Sequence, residues 1–475
     1  MKMLRRVQHL HFIGIGGIGM SGIAELLLNL DYRVSGSDLK PSPITERLEQ
    51  LGGKVTIGHS ADNVEGADVV VTSSAVGDTN PEVVAALAAG VPVIPRAEML
   101  AELMRMRHGV LIAGSHGKTT TTSMMATVFE AAGLDPTVVI GGRLEAWGTN
   151  ARLGEGEFMV AEADESDGSF LRLTPTIAIV TNIDQEHLDH YDDFAHLRDA
   201  FVEFLNKVPF YGTCVVCLDD PEVQDIIPRV TRKLVTYGFN QQADVRASAI
   251  EVTPDGTRMR CHAHDRDLGE IQLQVLGRHN ALNALACVAV ALDLQLDMDT
   301  VAAALSAYSG TDRRFQRIHS GGDVLVIDDY GHHPTEIRAV LCAAREAWDR
   351  RRIVCFQPHR YSRCQLLRDE FGRAFYDADE VLVLPIYAAG EAPIVGVSGE
   401  DLAAAIRDHG HKHVTYVDGA EAAFEAVTRI VKPGDLVVTL GAGDVWKLSR
   451  RIGEWLGKLE NGLADEVVAS DQDED

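Results

Sequence analysis

The sequence predicts an α/β fold in three domains built on mostly parallel sheets, and three observations lead there. Apolar β-type runs alternate with helical runs along nearly all of the chain, the pattern of strands joined by crossover helices. Two glycine-rich turns, at residues 14–19 and 114–117, each sit between a strand and a helix. The chain has 475 residues, too many for one ordinary domain, and its length allows two to four.

The first segment, residues 1–107, begins with a strand from Leu10 to Ile13. Gly14-x-Gly16-x-x-Gly19 follows, SGIAELLLNL reads as a helix, and the next strand, YRVSGSD, ends in Asp38. This is the order of a dinucleotide-type βαβ unit, so the segment is expected to be Rossmann-like. A diphosphate would sit on the helix N-terminus, where free N–H groups and the helix dipole favour anions. The motif does not name the ligand. NAD is the default; a nucleotide-bearing substrate is the alternative, because a second nucleotide motif lies downstream. Further strands are expected at DVVVTSSA and VPVIP.

The second segment, residues 108–310, starts with the strand GVLIAGS and runs into AGSHGKTTTT. The usual phosphate-binding loop, G-x-x-x-x-G-K-[ST], would need a glycine at position 112, which is Ile112. What remains is a shortened G-x-x-G-K-T from Gly114 to Thr119. It still concentrates N–H groups at a helix start. Lys118 adds a point charge for outer phosphates, and Thr119 or Thr120 can offer a hydroxyl to Mg2+. Two acid clusters follow other strands of this segment. EADESD holds Glu162, Asp164, Glu165 and Asp167; TNIDQEHLDHYDD holds Asp184, Glu186, His187, Asp189 and His190. Ligands of α/β sheets bind at the carboxyl ends of strands, so both clusters are candidates for metal or catalytic service. Spacing does not say which member acts. VRASAIEV, PDG and TRMRCHAH read as a hairpin, and HNALNALACVAVALDL as a helix.

The third segment, residues 311–475, has its own strands at DVLVIDD, RIVCFQ, EVLVLPI, HVTYV and DLVVTLGAGD, a second Rossmann-like pattern. DDYGHHPTEI places Tyr330, His332 and His333 between a strand and a Pro-initiated helix. FQPHRYSR places His359, Arg360 and Arg363 likewise, and paired arginines suit a carboxylate. The acidic tail LADEVVASDQDED reads as solvated.

Several function classes are disfavoured. A net charge of −26 argues against a nucleic-acid partner, which would need a basic surface. No run of 18 apolar residues predicts a membrane span, and glycines break the only N-terminal apolar run. Seven cysteines fit a reducing compartment, so the expected location is cytoplasmic. Cys214 and Cys217 form a lone C-x-x-C, read as two thiols on a buried strand. Nothing selects between monomer and homodimer.

Together the motifs resemble the Mur ligase family. The stretches that carry the resemblance are GIGGIGMSGIA, SGSD, GSHGKTTTT, EADESD, TNIDQEHLDHY, GRHNALNALA, TDRRFQ, DDYGHHPTEI, QPHRYSR, LPIYAAGE and GAGD, in family order from residue 13 to 444. The resemblance implies a UDP-substrate domain, a central ATP-binding domain and a C-terminal ligase domain. It is nearest the alanine-adding branch, which uses ATP and Mg2+ to join L-alanine to the lactyl carboxylate of UDP-N-acetylmuramate through an acyl phosphate, in peptidoglycan precursor synthesis. Carried over by motif, Gly14, Gly16, Gly17, Ile18, Gly19, Ser37, Asp38, Ser73 and Ser74 would face the UDP substrate. Gly114, Ser115, His116, Gly117, Lys118, Thr119 and Thr120, with Asn280, Asn283 and Arg314, would hold ATP. Lys118, Glu162 and His187 would be catalytic; Thr119 and Glu162 would ligate one magnesium ion and His187 a second. Tyr330, His332, His359, Arg360 and Arg363 would serve the amino acid. Some members carry a carbamylated lysine soon after D-H-x-D. FAHLRDAFVEFL has none, which fits the alanine-adding branch. The rivals are a ligase recycling murein tripeptide, a nicotinamide oxidoreductase and a noncatalytic nucleotide-binding regulator.

Overall fold

The computed structural model describes residues 7–73, 75–105, 107–144, 149–186 and 190–460. The chain divides into two compact units. One comprises Met1–Ile250, Arg258–Gln272 and Asn280–Thr311; the other comprises Glu251–Thr257, Leu273–His279 and Asp312–Asp475.

The first unit begins with β1 (His9–Ile13), α1 (Ile18–Asn29), β2 (Arg33–Asp38), α2 (Pro43–Gln50), β3 (Lys54–Ile57), β4 (Val69–Thr72), α3 (Pro81–Ala88), β5 (Val93–Pro95) and α4 (Arg96–Met104). Its strands form a parallel sheet in the order β3-β2-β1-β4-β5. Every residue of β1 is buried, as expected of a central strand covered by helices on both faces. The order reverses between β1 and β4, which opens a crevice at the carboxyl end of β1.

The chain continues through β6 (His108–Ala113), α5 (Lys118–Ala131), β7 (Thr137–Leu144), β8 (Thr149–Arg152), β9 (Phe158–Glu162), β10 (Ile177–Val180), α6 (Phe194–Asn206), β11 (Thr213–Cys217), α7 (Pro221–Ile226), β12 (Leu234–Gly238), β13 (Val245–Thr253), β14 (Gly256–Ala263), β15 (Arg266–Leu273), α8 (Arg278–Asp293) and α9 (Met298–Ala307). The sheet order is β15-β14-β13-β12-β11-β10-β6-β9-β7-β8. Its centre is parallel, and β8 closes one edge antiparallel to β7. β13 and β14 are neighbours, as the PDG turn predicts. Cys214 and Cys217 lie on β11, buried and unbridged. Three residues apart on a strand, they point to opposite faces and cannot share a metal. Burial pushes both thiols up to about 12.

The second unit holds β16 (Gln316–Gly321), β17 (Val324–Asp329), α10 (Pro334–Ala347), β18 (Arg352–Phe356), α11 (Tyr361–Leu366), β19 (Glu380–Val383), β20 (Val414–Tyr416) and β21 (Leu436–Leu440), with further helices between and after the later strands. The order is β16-β17-β21-β18-β19-β20, parallel except for the β16–β17 hairpin. Strand alternation splits its core. Ile327, Val354, Phe356 and Val438 pack on one face; Val326, Ile353, Cys355 and Val437 pack on the other. Each such burial contributes about 1.5–3 kcal/mol. Paired registers bring the ends of β17, β21, β18 and β19 level, so the loops after them gather at one edge.

Candidate active site

The glycine loop leaves the end of β6 between β9 and β10. Gly114 takes φ +125°, and a Cβ there would run into Thr181 Oγ1. Gly117 takes φ +84° as the N-cap of α5; a Cβ there would lie 2.6 Å from Asn283 Oδ1. Both conformations are open to glycine and strained for other residues. The loop is stitched to the segment after β10. His116 N–H donates to Asn182 Oδ1 at 2.8 Å, Asp184 N–H to Ser115 Oγ at 2.8 Å, and Thr181 Oγ1–H to His116 O at 2.6 Å. His116 Nε2 lies 3.0 Å from Asp184 Oδ2. These bonds hold the loop in one shape at the start of α5, where free N–H groups and the helix dipole favour an anion.

Lys118 Nζ donates to Gly114 O at 2.6 Å and to both oxygens of Glu165, at 2.8 and 2.9 Å. Glu165 is fully buried. Burial works against the lysine charge, but Glu165 and Asp164 outweigh it and hold the ammonium above its ordinary pKa. Burial pushes Glu165 up to about 7, with Asp164 adding to the rise and Lys118 opposing it. Thr119 and Thr120 open α5, both buried, and the Thr119 hydroxyl makes no hydrogen bond to another described residue. Asn280 and Asn283, on α8, are buried and joined by a 3.1 Å hydrogen bond.

Glu162 ends β9, paired in register with Ile112 just before the loop. Its Oε1 accepts the Gly141 N–H at 2.6 Å, and a Cβ on Gly141 would stand 2.7 Å from Oε2. A carboxylate and a threonine hydroxyl are all-oxygen donors, the set that Mg2+ prefers. His187, called by sequence as the second metal ligand, lies outside the described residues, as do Asp189 and Ser74.

At the first glycine turn, Gly14 and Ile15 N–H donate to Ser37 O at 2.8 and 3.0 Å, and Gly16 N–H donates to Asp38 Oδ2 at 2.8 Å. Gly17 caps α1, with Ile18 exposed after it, and Gly19 packs beside the Arg96 side chain. Ser73 follows β4. Ser37 is fully buried, and its hydroxyl donates to Glu82 Oε2 at 2.6 Å. It therefore supports the turn from beneath, and its hydroxyl is already spent on Glu82.

In the second unit, Tyr330 and His332 follow β17, and His359, Arg360 and Arg363 follow β18. The Arg313 and Arg314 guanidinium carbons each lie 5.0 Å from the Tyr330 ring. Arg314 also faces Glu336 at 3.8 Å. His332 and His359 rings are 5.5 Å apart, and Tyr387 stacks on His359 at 5.7 Å with an 8° tilt. Arg363 donates to His359 Nδ1 at 3.2 Å. Burial, then His332, Arg363 and Arg360, bring His359 down to about 3, so its ring is neutral. With Nδ1 accepting, its proton sits on Nε2. Arg360 adopts φ +66°, a strained conformation for a side chain other than glycine. Its N–H donates to Tyr387 O at 2.9 Å. His333 caps α10 through Thr335 N–H, a structural duty.

Sequence reasoning left Glu165 and Asp184 unresolved among their clusters and missed Asn182, Gly141 and Tyr387. Tyr387 lies in LPIYAAGE, but nothing in the spacing brings it to His359. A cavity of about 780 Å3 in the first unit, lined by Met104, Arg107, His108, Thr176 and Tyr211 among others, lies at the amino ends of β6 and β10, away from the loop.

Three family models match in chain order: the Mur ligase family catalytic domain over residues 9–108, the Mur ligase middle domain over 112–291, and the Mur ligase glutamate ligase domain over 313–443. The chain belongs to the Mur ligase family. A UDP-N-acetylmuramate–L-alanine ligase of Syntrophobacter fumaroxidans is 58% identical over 96% of both chains. One from Geotalea uraniireducens is 57% identical over 96% of this chain and 99% of its own. The crystal structure of the UDP-N-acetylmuramate-alanine ligase from Thermotoga maritima superposes with a TM-score of 0.81 at 30% identity, over 96% of this chain and 99% of that one. The Mur ligase three-domain α/β architecture therefore accounts for the three sheets. No helix among the described residues is long and apolar enough to cross a membrane.

Proposed function

We infer that this chain is the ligase that joins L-alanine to UDP-N-acetylmuramate at the expense of ATP, in peptidoglycan precursor synthesis. The observation that carries this is the near-full-length identity with relatives bearing that name. The tripeptide-recycling, oxidoreductase and regulator readings have no comparable support.

The reaction we propose has two steps. A lactyl carboxylate oxygen attacks the γ-phosphorus of ATP and ADP leaves, giving an acyl phosphate. The alanine amine then attacks the acyl carbon, phosphate leaves, and the amine proton is lost as the amide forms. Lys118 exchanges Glu165 for phosphate oxygens and offsets charge on the transferring group. The loop from Gly114 to Thr120 cradles the phosphates with backbone N–H groups, while Asn280, Asn283 and Arg314 contact the nucleotide. Thr119 and Glu162 would hold Mg2+, with His187 near a second ion; when bound, the metal supplies charge neutralisation on the phosphates. In the third domain, Arg360 and Arg363 fix the alanine carboxylate beside Tyr330, His332 and His359. Residues 1–107 bind the UDP moiety at Gly14–Gly19, Asp38 and Ser73, residues 108–310 bind ATP, and residues 311–475 take the amino acid. The location is taken as cytoplasmic, consistent with seven unbridged cysteines.

The test is product mass. Incubated with ATP, Mg2+, UDP-N-acetylmuramate and L-alanine, the protein should yield the UDP-sugar carrying one alanine residue in amide linkage. An unchanged UDP-sugar, with the protein folded and ATP bound, would overturn the reading.

A further inference from the structure

LPIYAAGE, the loop after β19, supplies no residue to the reaction proposed above, yet it runs beside the loop after β18 that carries the two arginines. Tyr387 N–H donates to Pro358 O at 2.8 Å, and Arg360 N–H donates back to Tyr387 O at 2.9 Å. Between these two bonds the Tyr387 ring stacks on His359. Glu391, the last residue of the stretch, adds a fork. Ser362 N–H donates to its Oε2 at 3.0 Å, and Ser362 Oγ–H donates to its Oε1 at 2.6 Å.

The fork answers a need that the arginine creates. Arg360 is the N-cap of α11, and its side chain makes no cap bond. An N-cap side chain ordinarily accepts the N–H of the second or third helical residue, and a guanidinium has no acceptor to offer. Ser362 is that second residue, and Glu391 accepts its N–H from the neighbouring loop. A carboxylate from outside the helix therefore does the capping that Arg360 cannot do.

Backbone strain lies on both sides of the fork. Arg360 takes φ +66° and Ala389 takes φ +49°, left-handed conformations that side chains other than glycine rarely adopt. Such residues persist where their surroundings over-determine them, and they gather at ligand clamps. Arg360 O also accepts Cys364 N–H at 3.3 Å, so the strained residue carries the first carbonyl of α11. Arg363 lies on the same short helix and donates to His359 Nδ1 at 3.2 Å. Fraying of the first turn of α11 would move the bases of both arginines together.

We propose that Glu391 is a positioning residue for the amino acid: by capping α11 through Ser362 it holds Arg360 and Arg363 in the arrangement that takes a carboxylate. This rests on the reading of those two arginines as the pair that fixes alanine. Glu391 itself touches no substrate in this account. Its effect reaches the amino acid only through the aim of the arginines, and bidentate recognition of a carboxylate depends on that aim.

Steady-state kinetics of the full chain, with each substrate varied in turn, tests this. Glu391→Ala should raise KM for L-alanine by roughly threefold to tenfold, with kcat and the KM values for ATP and UDP-N-acetylmuramate changed by less than about twofold. Glu391→Gln, which keeps one acceptor oxygen, should raise it less. Adding Ser362→Ala to Glu391→Ala should bring little further loss, because both changes remove the same fork. If melting shows that Glu391→Ala has not folded, Glu391→Gln makes the same comparison. A folded Glu391→Ala with the wild-type KM for alanine, beside an Arg360→Ala that raises it, overturns the positioning role and leaves the amino-acid reading standing. A rise in all three KM values together, or a fall in kcat alone, also overturns it. An unchanged alanine KM in both Glu391→Ala and Arg360→Ala overturns the reading of the arginines, and this inference with it.

Discussion

Lys118 Nζ lies 2.8 Å from Oε1 of Glu165, a carboxylate buried at the foot of the phosphate loop. The pair has two consequences. The lysine charge is kept in place by a partner of opposite sign, and that partner is stranded if the lysine is removed. Breaking one side of a buried pair costs about 3–5 kcal/mol, because the other charge is left without compensation.

Lys118→Ala should cut turnover by roughly 10^2–10^3-fold or more while leaving UDP-N-acetylmuramate binding intact, because the UDP site is assigned to another domain. The variant should also melt lower. An acid whose folded pKa of about 7 exceeds its ordinary 4.5 binds more protons in the folded state, so its contribution to stability falls as pH rises between those values. Without Lys118 that loss should deepen, so the melting deficit should grow from about pH 5 to pH 8. Lys118→Ala with Glu165→Gln should recover most of it. A deficit that ignores both pH and the second change would mean the pair is not coupled.

Gly141→Ala tests whether Glu162 serves the metal. The new methyl group would stand 2.7 Å from Glu162 Oε2, so the carboxylate must move. The Mg2+ concentration for half-maximal rate should rise several-fold, with thermal stability changed by less than about 1 kcal/mol. An unchanged magnesium requirement would remove Glu162 from the metal site.

Arg360→Ala should raise KM for L-alanine by roughly tenfold or more, with a smaller change in kcat, because a charge-assisted bond to the substrate carboxylate is lost in ground and transition states alike. Steady-state kinetics with alanine varied decides it. An unchanged KM would place the carboxylate elsewhere.

Glu82→Gln should alter acid stability. A carboxyl held at about 2 against an ordinary 4.5 contributes about 3 kcal/mol above pH 4.5, lost as pH falls from 4.5 toward 2. The variant should be less stable at neutral pH, and the gap to wild type should narrow on acidification through that window. Urea titrations at pH 3 and pH 7 measure both ends.

Much of the framework was legible because it rests on local rules. Strand, glycine turn and helix follow one another around Gly14 and Gly114, and buried strands such as β1 read as continuous apolar runs. The Cys214–Cys217 pair was legible too, since a buried strand explains it without a metal. What the sequence hid depends on distant contacts. Glu165 was indistinguishable from its neighbours in EADESD until the fold aimed it at Lys118. Ser37 looked like a substrate contact, but its hydroxyl turns inward to Glu82, 45 residues away. Tyr387 meets His359 only because the loops after β18 and β19 share one edge. No local spacing encodes such meetings.

The most direct test is phosphate release from MgATP by the purified protein. UDP-N-acetylmuramate would be supplied with and without L-alanine, and in parallel with L-Ala-γ-D-Glu-meso-diaminopimelate. Sustained release that requires both the UDP-sugar and L-alanine is the predicted result. Release that depends on the tripeptide alone, or none in any mixture while ATP stays bound, would contradict the account.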